Sequence, residues 1–327
     1  MSAVQNALAE LAELATLARA IADLRRAPAT LTGEAQQLLR LVERHSTLSM
    51  DATGHMTDGE SILPSGSAIS PVQAALCARE PLRSAAFIQG LAQAVTERLR
   101  DDRPVRVLYA GCGPYALLAL PLMALFSPRQ LQFSIIEVHQ EALAAARALI
   151  EKLGFMGHVS DFVCADAAAY RIPAGAAPDV IVSETMNTAL GKEPQVAIMR
   201  TLAVQAPGAA LVPAAVTVHL GQARRSPAEA CLDWGVVFTL DAPSILAWQQ
   251  EEEERLPGAS IRLPDVLDQP PRLLTRIRVH GGIVLGDYDC SLNLPLALPG
   301  KPVLAPGSVL HFYYRLGSEP GLAFHVG

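Results

Sequence analysis

Three acidic residues stand where an acid can do chemistry. Glu137 falls within the apolar, β-branched run 131–138, Asp166 follows Val159–Cys164, and Glu184 follows 179–183. Ahead of all three comes 105–113, Val-Arg-Val-Leu-Tyr-Ala-Gly-Cys-Gly, an apolar run closed by two glycines one residue apart. Glycine serves at such a turn because a backbone without Cβ approaches a ligand closely in dihedrals that other residues avoid. An acid closing the next strand accepts hydrogen bonds from ribose hydroxyls, the task that fits Glu137. Asp166, with Ala167 beside it, is placed to take a purine amino hydrogen. Three acid-bearing strand ends after a glycine turn point to one nucleoside site, with Gly111, Cys112 and Gly113 against the ligand. The turn does not suit a pyrophosphate: the dinucleotide pattern needs glycine where Ala116 stands, and Pro114 removes a backbone donor.

These residues need elements to position them. From Val105 onward, strand and helix patterns alternate: strands at 105–110, 131–138, Val159–Cys164, 179–183 and Ala210–Val212, with helices at 115–125, 140–153 and after Pro194. Repeated βα units build a parallel sheet with right-handed crossovers, and ligands bind beyond the carboxyl ends of its strands. Before the sheet, leucine and alanine recur at helical spacing over 3–26, a second helix is expected over 33–45, Ser70-Pro71 caps a third through 78, and Pro81 starts a fourth through 100. The leucine stripe is a core face or a homodimer seam. Residues 50–71 are polar, rich in turn formers and without period, which predicts a long loop. Its mixture of His55, Asp58 and Glu60 with Met56, Ile62 and Leu63 suits a lid. After Pro213, short alternating runs separated by Pro and Gly predict an antiparallel β-rich tail. The expected organisation is N-terminal helices and lid over 1–100, a nucleoside-binding domain over 101–213 and a β-rich domain over 214–327.

Bulk properties narrow the function. A chain of 327 residues that is 50% hydrophobic, with net charge −6, is globular and lacks the basic surface that nucleic acid or an anionic membrane attracts. Its five cysteines are scattered, with no Cys-x-x-Cys pair, so the reading is reduced thiols in a cytoplasmic protein and no metal site. No apolar run is long and uncharged enough to span a bilayer.

The runs Val-Leu-Tyr-Ala-Gly-Cys-Gly-Pro, Ile-Ile-Glu-Val, Cys-Ala-Asp-Ala and Val-Ser-Glu-Thr-Met resemble the class I S-adenosylmethionine (SAM)-dependent methyltransferases over about 75–215. The resemblance implies a Rossmann-like α/β fold, with SAM against Gly111 and Gly113, its ribose on Glu137 and its adenine on Asp166. Ser183-Glu-Thr-Met-Asn-Thr-Ala-Leu-Gly-Lys-Glu193 is similar to the two-glutamate hairpin of the protein arginine methyltransferases. Leu82-Arg-Ser-Ala-Ala-Phe is similar to the helix whose arginine, here Arg83, grips the SAM carboxylate, and the β-rich tail matches that family's barrel. Thr185 and Thr188 replace the hairpin's aromatic residues, the Thr-His-Trp element has no counterpart, and the tail is too short for a dimerisation arm. A small-molecule substrate follows.

With the N-terminal helices and the 55–66 loop included, the chain resembles methyltransferase-like enzymes of bacterial non-ribosomal peptide pathways, among them azetidine-2-carboxylate synthases that cyclise SAM itself. Cyclisation, the first expectation, has the SAM amine attack its own Cγ and expel 5′-methylthioadenosine, with Arg83 pinning the carboxylate and Glu184, Tyr170, Asp58 or His55 handling the amine. The alternative is methyl transfer to a small amine, guanidine or amino acid held by Glu184 and Glu193. A third is a SAM-binding partner without turnover.

Overall fold

The computed structural model describes residues 3–48, 58–250 and 254–327. His55 lies outside the described residues, as does most of the Glu251–Glu254 charge run. In chain order the helices are α1 (Ala3–Ala22), α2 (Thr32–His45), α3 (Pro71–Cys77), α4 (Pro81–Thr96), α5 (Leu120–Leu125), α6 (Gln140–Lys152), α7 (Gln195–Gln205) and α8 (Ala242–Ala247). The strands are β1 (Ser61–Leu63), β2 (Gly66–Ala68), β3 (Val105–Ala110), β4 (Leu131–Glu137), β5 (Val159–Cys164), β6 (Val180–Ser183), β7 (Ala210–Val212), β8 (Ala215–Gln222), β9 (Leu232–Asp241), β10 (Arg255–Arg262), β11 (Arg272–His280), β12 (Ile283–Leu285), β13 (Leu296–Ala297), β14 (Val309–Arg315) and β15 (Gly321–Val326).

The expected parallel sheet forms with order β5-β4-β3-β6-β7. The chain leaves β3 in one direction to β4 and β5, then returns to place β6 on the other side. The carboxyl end of β3 is therefore a topological switch point, where a crevice opens between the strand ends. On one side α4 is buried along nearly its whole length, from Arg83 to Val95, against α1, α2 and strand β11. It ties the N-terminal helices, the sheet and the β-rich domain into one core. That domain consists of the antiparallel sheets β10-β14-β15 and β12-β11-β8-β9, with β13 beside β11.

Three elements differ from the sequence reading. The helix expected over 115–125 is confined to Leu120–Leu125, because a helix running through Pro121 would meet the carbonyl four residues earlier. The preceding residues form turns, with Ala116 at φ +43. The loop expected over 50–71 contains a hairpin, in which Ser61, Ile62 and Leu63 pair with Ala68, Ser67 and Gly66 around a Pro64-Ser65 turn. Strand β10 carries Pro257 and Gly258, residues that weaken a strand pattern, and its register shifts between Pro257 and Ser260. The Ser70-Pro71 start of α3 is a complete capping box: Ser70 Oγ accepts from the Gln73 amide, and the Ser70 amide donates to Gln73 Oε1. Among the described residues no helix is long and apolar enough to cross a membrane.

Candidate active site

The carboxyl ends of β3, β4, β5 and β6 open into one cavity, whose lining includes Gly111, Cys112, Gly113, Glu137, Asp166, Ala167, Glu184, Glu193 and Arg83. It is closed above by Leu63, Ser67, Ala68 and Ile69 of the hairpin segment and by Pro71 and Ala74 of α3.

At the glycine turn, Gly111 takes φ +74, and a Cβ built there would lie 2.2 Å from Thr185 Cγ2. Gly113 takes φ +59 and donates its amide to Glu137 Oε2 at 2.9 Å. The other oxygen of Glu137 accepts the His139 amide at 3.1 Å. Two backbone donors thus orient a carboxylate that is only 6% exposed. Asp166 is held in the same manner, with Oδ1 accepting the Ala168 amide at 2.8 Å. The hairpin reaches Asp166 directly and Glu137 only through its neighbour: the Ser65 hydroxyl donates to Asp166 Oδ2 at 3.4 Å, and Ser61 hydrogen-bonds Nε2 of His139, whose amide Glu137 accepts, at 3.0 Å.

Gly111→Ala is expected to destabilise the fold by roughly 1–3 kcal/mol, because the turn must open to admit the methyl group. Gly33→Ala, at a helical position with open space around it, is expected instead to add roughly 0.4–1 kcal/mol of stability, since alanine restricts the unfolded chain and meets nothing in the folded one. A urea unfolding curve for each variant checks the pair.

At the other end of the cavity Arg83 donates to Glu80 Oε2 at 3.0 Å and to Glu184 Oε1. The C-terminal domain fixes this pair in turn, since the Ser291 amide and hydroxyl both donate to Glu80, at 2.7 and 2.8 Å. Burial opposes the Arg83 charge, but the Glu184 and Glu80 carboxylates outweigh it and hold the guanidinium above its ordinary value. Burial pushes the Glu184 carboxyl up, against the pull of Arg83. Two of five guanidinium donors are used, which leaves Arg83 able to take a ligand carboxylate as well.

Glu193 differs from its neighbours. It is 9% exposed, and among the described residues none donates a hydrogen bond to its carboxylate. Burial first, then the charge of Glu184, pushes its carboxyl up to about 7. The loop from Glu184 to Glu193 is held under strain, with Ala189, Leu190 and Lys192 all in the left-handed region at φ +55, +57 and +66. Its braces come from distant segments. The Ala189 amide donates to Thr275 Oγ1 at 2.9 Å, the Tyr314 hydroxyl donates to the Leu190 carbonyl at 2.6 Å, and the Lys192 amide donates to the Pro320 carbonyl at 2.9 Å. Thr185 and Thr188, the residues in place of aromatic ones, brace the loop too: Thr185 Oγ1 donates to Gln195 Oε1 at 3.0 Å and Thr188 Oγ1 to the Ser291 carbonyl at 3.1 Å.

Two candidate catalytic residues are not brought to the cavity. Tyr170 is half-buried and packs against the core, its carbonyl accepting from Gln205 Nε2. Asp58 is exposed near the base of the hairpin and does not line the cavity. Conversely, Glu80, Ser65, His139 and Ser291 escaped the sequence reading. Glu80 alone carried a local signal, an acid three residues before Arg83 on one helix face.

The residues fit a nucleoside with an amino-acid tail: two pre-oriented acids at one end, a glycine at which the wall has no room for a methyl group, and a buried arginine at the other. Among the described residues no group of three or more His, Cys, Asp or Glu is placed to hold a metal ion.

Neither a scan of protein-family models nor a search of curated proteins returns a match for this chain. Solved structures do match. A chain of the Trypanosoma brucei PRMT1 enzyme-prozyme heterotetrameric complex with AdoHcy aligns over 75% of this chain and 89% of its own, at 11% identity and a TM-score of 0.51. Protein arginine methyltransferase 10 of Arabidopsis thaliana aligns over 71% and 84%, at 13% identity and a TM-score of 0.49. The parallel sheet, its flanking helices and the β-rich tail together make this a chain of the class I methyltransferase fold, in the architecture of the protein arginine methyltransferases.

Proposed function

We propose that this protein is a SAM-dependent N-methyltransferase acting on a small amine, guanidine or amino acid. The observation that carries the reading is the carboxylate pair on the cavity floor, with Glu184 bound to Arg83 and Glu193 without a donor and titrating near neutrality. SAM supplies an electrophilic methyl group on a sulfonium. Glu137 and Asp166 would hold its ribose and adenine, and Arg83 its carboxylate. For a nitrogen to attack, it must present a lone pair. Glu193, titrating at about 7, is matched to accept a proton from a substrate ammonium or guanidinium at neutral pH. Glu184, held in one orientation by Arg83, would fix the direction of approach. The hairpin and α3 exclude water above the reacting groups.

A second reading, cyclisation of SAM, which needs no room for a second substrate, draws on one observation: the hairpin and Pro320 pack against Lys192 in the loop that carries Glu193. The two readings break different bonds to sulfur. Purified protein with SAM and a panel of small amines and guanidines is expected to form S-adenosylhomocysteine only when an acceptor is present, as read by mass spectrometry. Methylthioadenosine from SAM alone would replace the first reading with the second. SAM binding with neither product would leave a binding protein.

A further inference from the structure

The hairpin touches the Glu193 loop at one peptide, that of Lys192. Lys192 is the centre of a γ-turn with positive φ, closed by the Glu193 amide donating to the Gly191 carbonyl at 2.8 Å, a rare and strained conformation for a residue with a side chain. Its amide donates to Pro320, and its carbonyl accepts the Ser67 amide at 2.8 Å. The contact depends on Gly66, which is buried at φ +140. A Cβ there would lie 2.7 Å from the Lys192 carbonyl oxygen and 3.1 Å from both Pro194 N and Pro320 Cγ. One residue after this bond comes Glu193, whose carboxylate accepts no hydrogen bond among the described residues.

We propose that Gly66 and Ser67 are positioning residues for Glu193: docking of the hairpin on the Lys192 carbonyl keeps the strained γ-turn, and so turns the Glu193 carboxylate into the cavity. This rests on the reading of Glu193 as the proton acceptor, and it adds what places that acceptor. Hydrogen bonds from two separate segments, one to the amide and one to the carbonyl of Lys192, over-determine a conformation that the loop alone would leave, since positive φ is unfavourable for a residue with a side chain. Remove the hairpin's share, and the turn relaxes toward ordinary dihedrals and swings the next side chain toward water. The charged and titratable groups facing Glu193 come from every element around it: Glu184 at the end of β6, Arg83 on α4, Glu60 before β1, Lys192 beside it and Cys77 at the end of α3. None of these except Glu60 lies on the hairpin segment, so undocking changes the solvation of Glu193 far more than its charged neighbours.

The test follows the Glu193 carboxyl carbon by NMR against pH in the full chain without substrate. It compares the parent protein with Gly66→Val, which blocks the approach, and Ser67→Pro, which deletes the donor. The expected result is that Glu193 titrates near 7 in the parent and falls toward 4.5 in both variants. A folded variant in which it still titrates near 7 would overturn the proposal. Should both variants fail to fold, amide exchange in the parent decides. The Lys192 amide is expected to exchange with the Ser67 amide within about twofold, whereas protection at least about tenfold longer for Lys192 would mean that its turn survives without the hairpin, contrary to the proposal. Product analysis on the same preparations keeps failure of the functional reading distinct, because neither the titration nor the exchange requires turnover.

Discussion

Glu193→Gln is expected to stabilise the substrate-free protein by roughly 3 kcal/mol at pH 8 while lowering turnover by about 10²–10⁴-fold. The stability follows from linkage. The carboxyl titrates at about 7 in the folded protein against 4.5 for the unperturbed group, so the folded state keeps its proton to higher pH than the unfolded state does. The protein therefore loses stability as pH rises from 4.5 through about 7, and at about 1.4 kcal/mol per pH unit the loss reaches that size. Glutamine has no proton to lose and escapes the penalty. At pH 4 the two proteins should be equally stable, since the glutamate is then neutral in both states. Urea unfolding at pH 4 and pH 8 measures the difference. The kinetic loss has the opposite sign under the proposed function, in which this carboxylate accepts the proton, and it would then be an instance of stability given up at a working site. Equal stability at pH 8, or SAM affinity falling as far as turnover, would remove Glu193 from this role. In the parent enzyme the rate should rise with pH to a plateau above about 7, as the Glu193 carboxyl loses its proton.

Arg83→Met should lower the unfolding free energy by roughly 3–5 kcal/mol at pH 8, among the largest costs of any single change in the site. The guanidinium is 6% exposed and is the common partner of Glu80 and Glu184, so its removal leaves two carboxylates without their cation in a site with little water. Glu80 keeps the Ser291 donors, and burial has already pushed Glu184 up, which makes Glu184 the costlier of the two. Adding Glu184→Gln to Arg83→Met should then recover a substantial part of the loss, and the non-additivity in a double-mutant cycle measures the pair. The deficit should shrink as pH falls, beginning above the ordinary carboxylate range, because a buried Glu184 without its cation takes up a proton more readily than an exposed acid does. Arg83→Lys should recover charge but not both contacts, because one ammonium does not reproduce the planar fork that spans two carboxylates. Additive losses of under about 1 kcal/mol would show the pair to be surface-like in energy.

Much of the nucleoside half of the site could be read from sequence for local reasons. Strand period and helix period alternate plainly from Val105 to Val212, and right-handed βα crossovers allow few arrangements, so the strand ends carrying Gly111, Glu137, Asp166 and Glu184 had to share one edge. The helix cap at Ser70 was equally legible, because Ser-Pro is a local start signal, although the Gln73 half of its capping box was not read. The helix expected over 115–125 was misjudged because composition outweighed Pro121, and the hairpin at Ser61–Ala68 because its strands are too short to show a period.

The reacting half could not be read in this way. Residue types and order determined a glycine turn and a row of acids, and Arg83 was singled out only by the resemblance of its helix to one whose arginine grips a carboxylate. Only the tertiary structure decided that Arg83 is shared between Glu80 and Glu184, that Ser291 reaches Glu80 from 211 residues away, that Ser65 covers Asp166 from 101 residues away, and that Tyr314 holds Leu190. The reason is physical. A left-handed Ala189, Leu190 and Lys192 oppose local preference, and they persist because contacts from the hairpin and the β-rich domain outweigh that preference. The same enclosure removes water from Glu193 and so sets its charge. Burial of that kind belongs to the packed chain and to no segment of it.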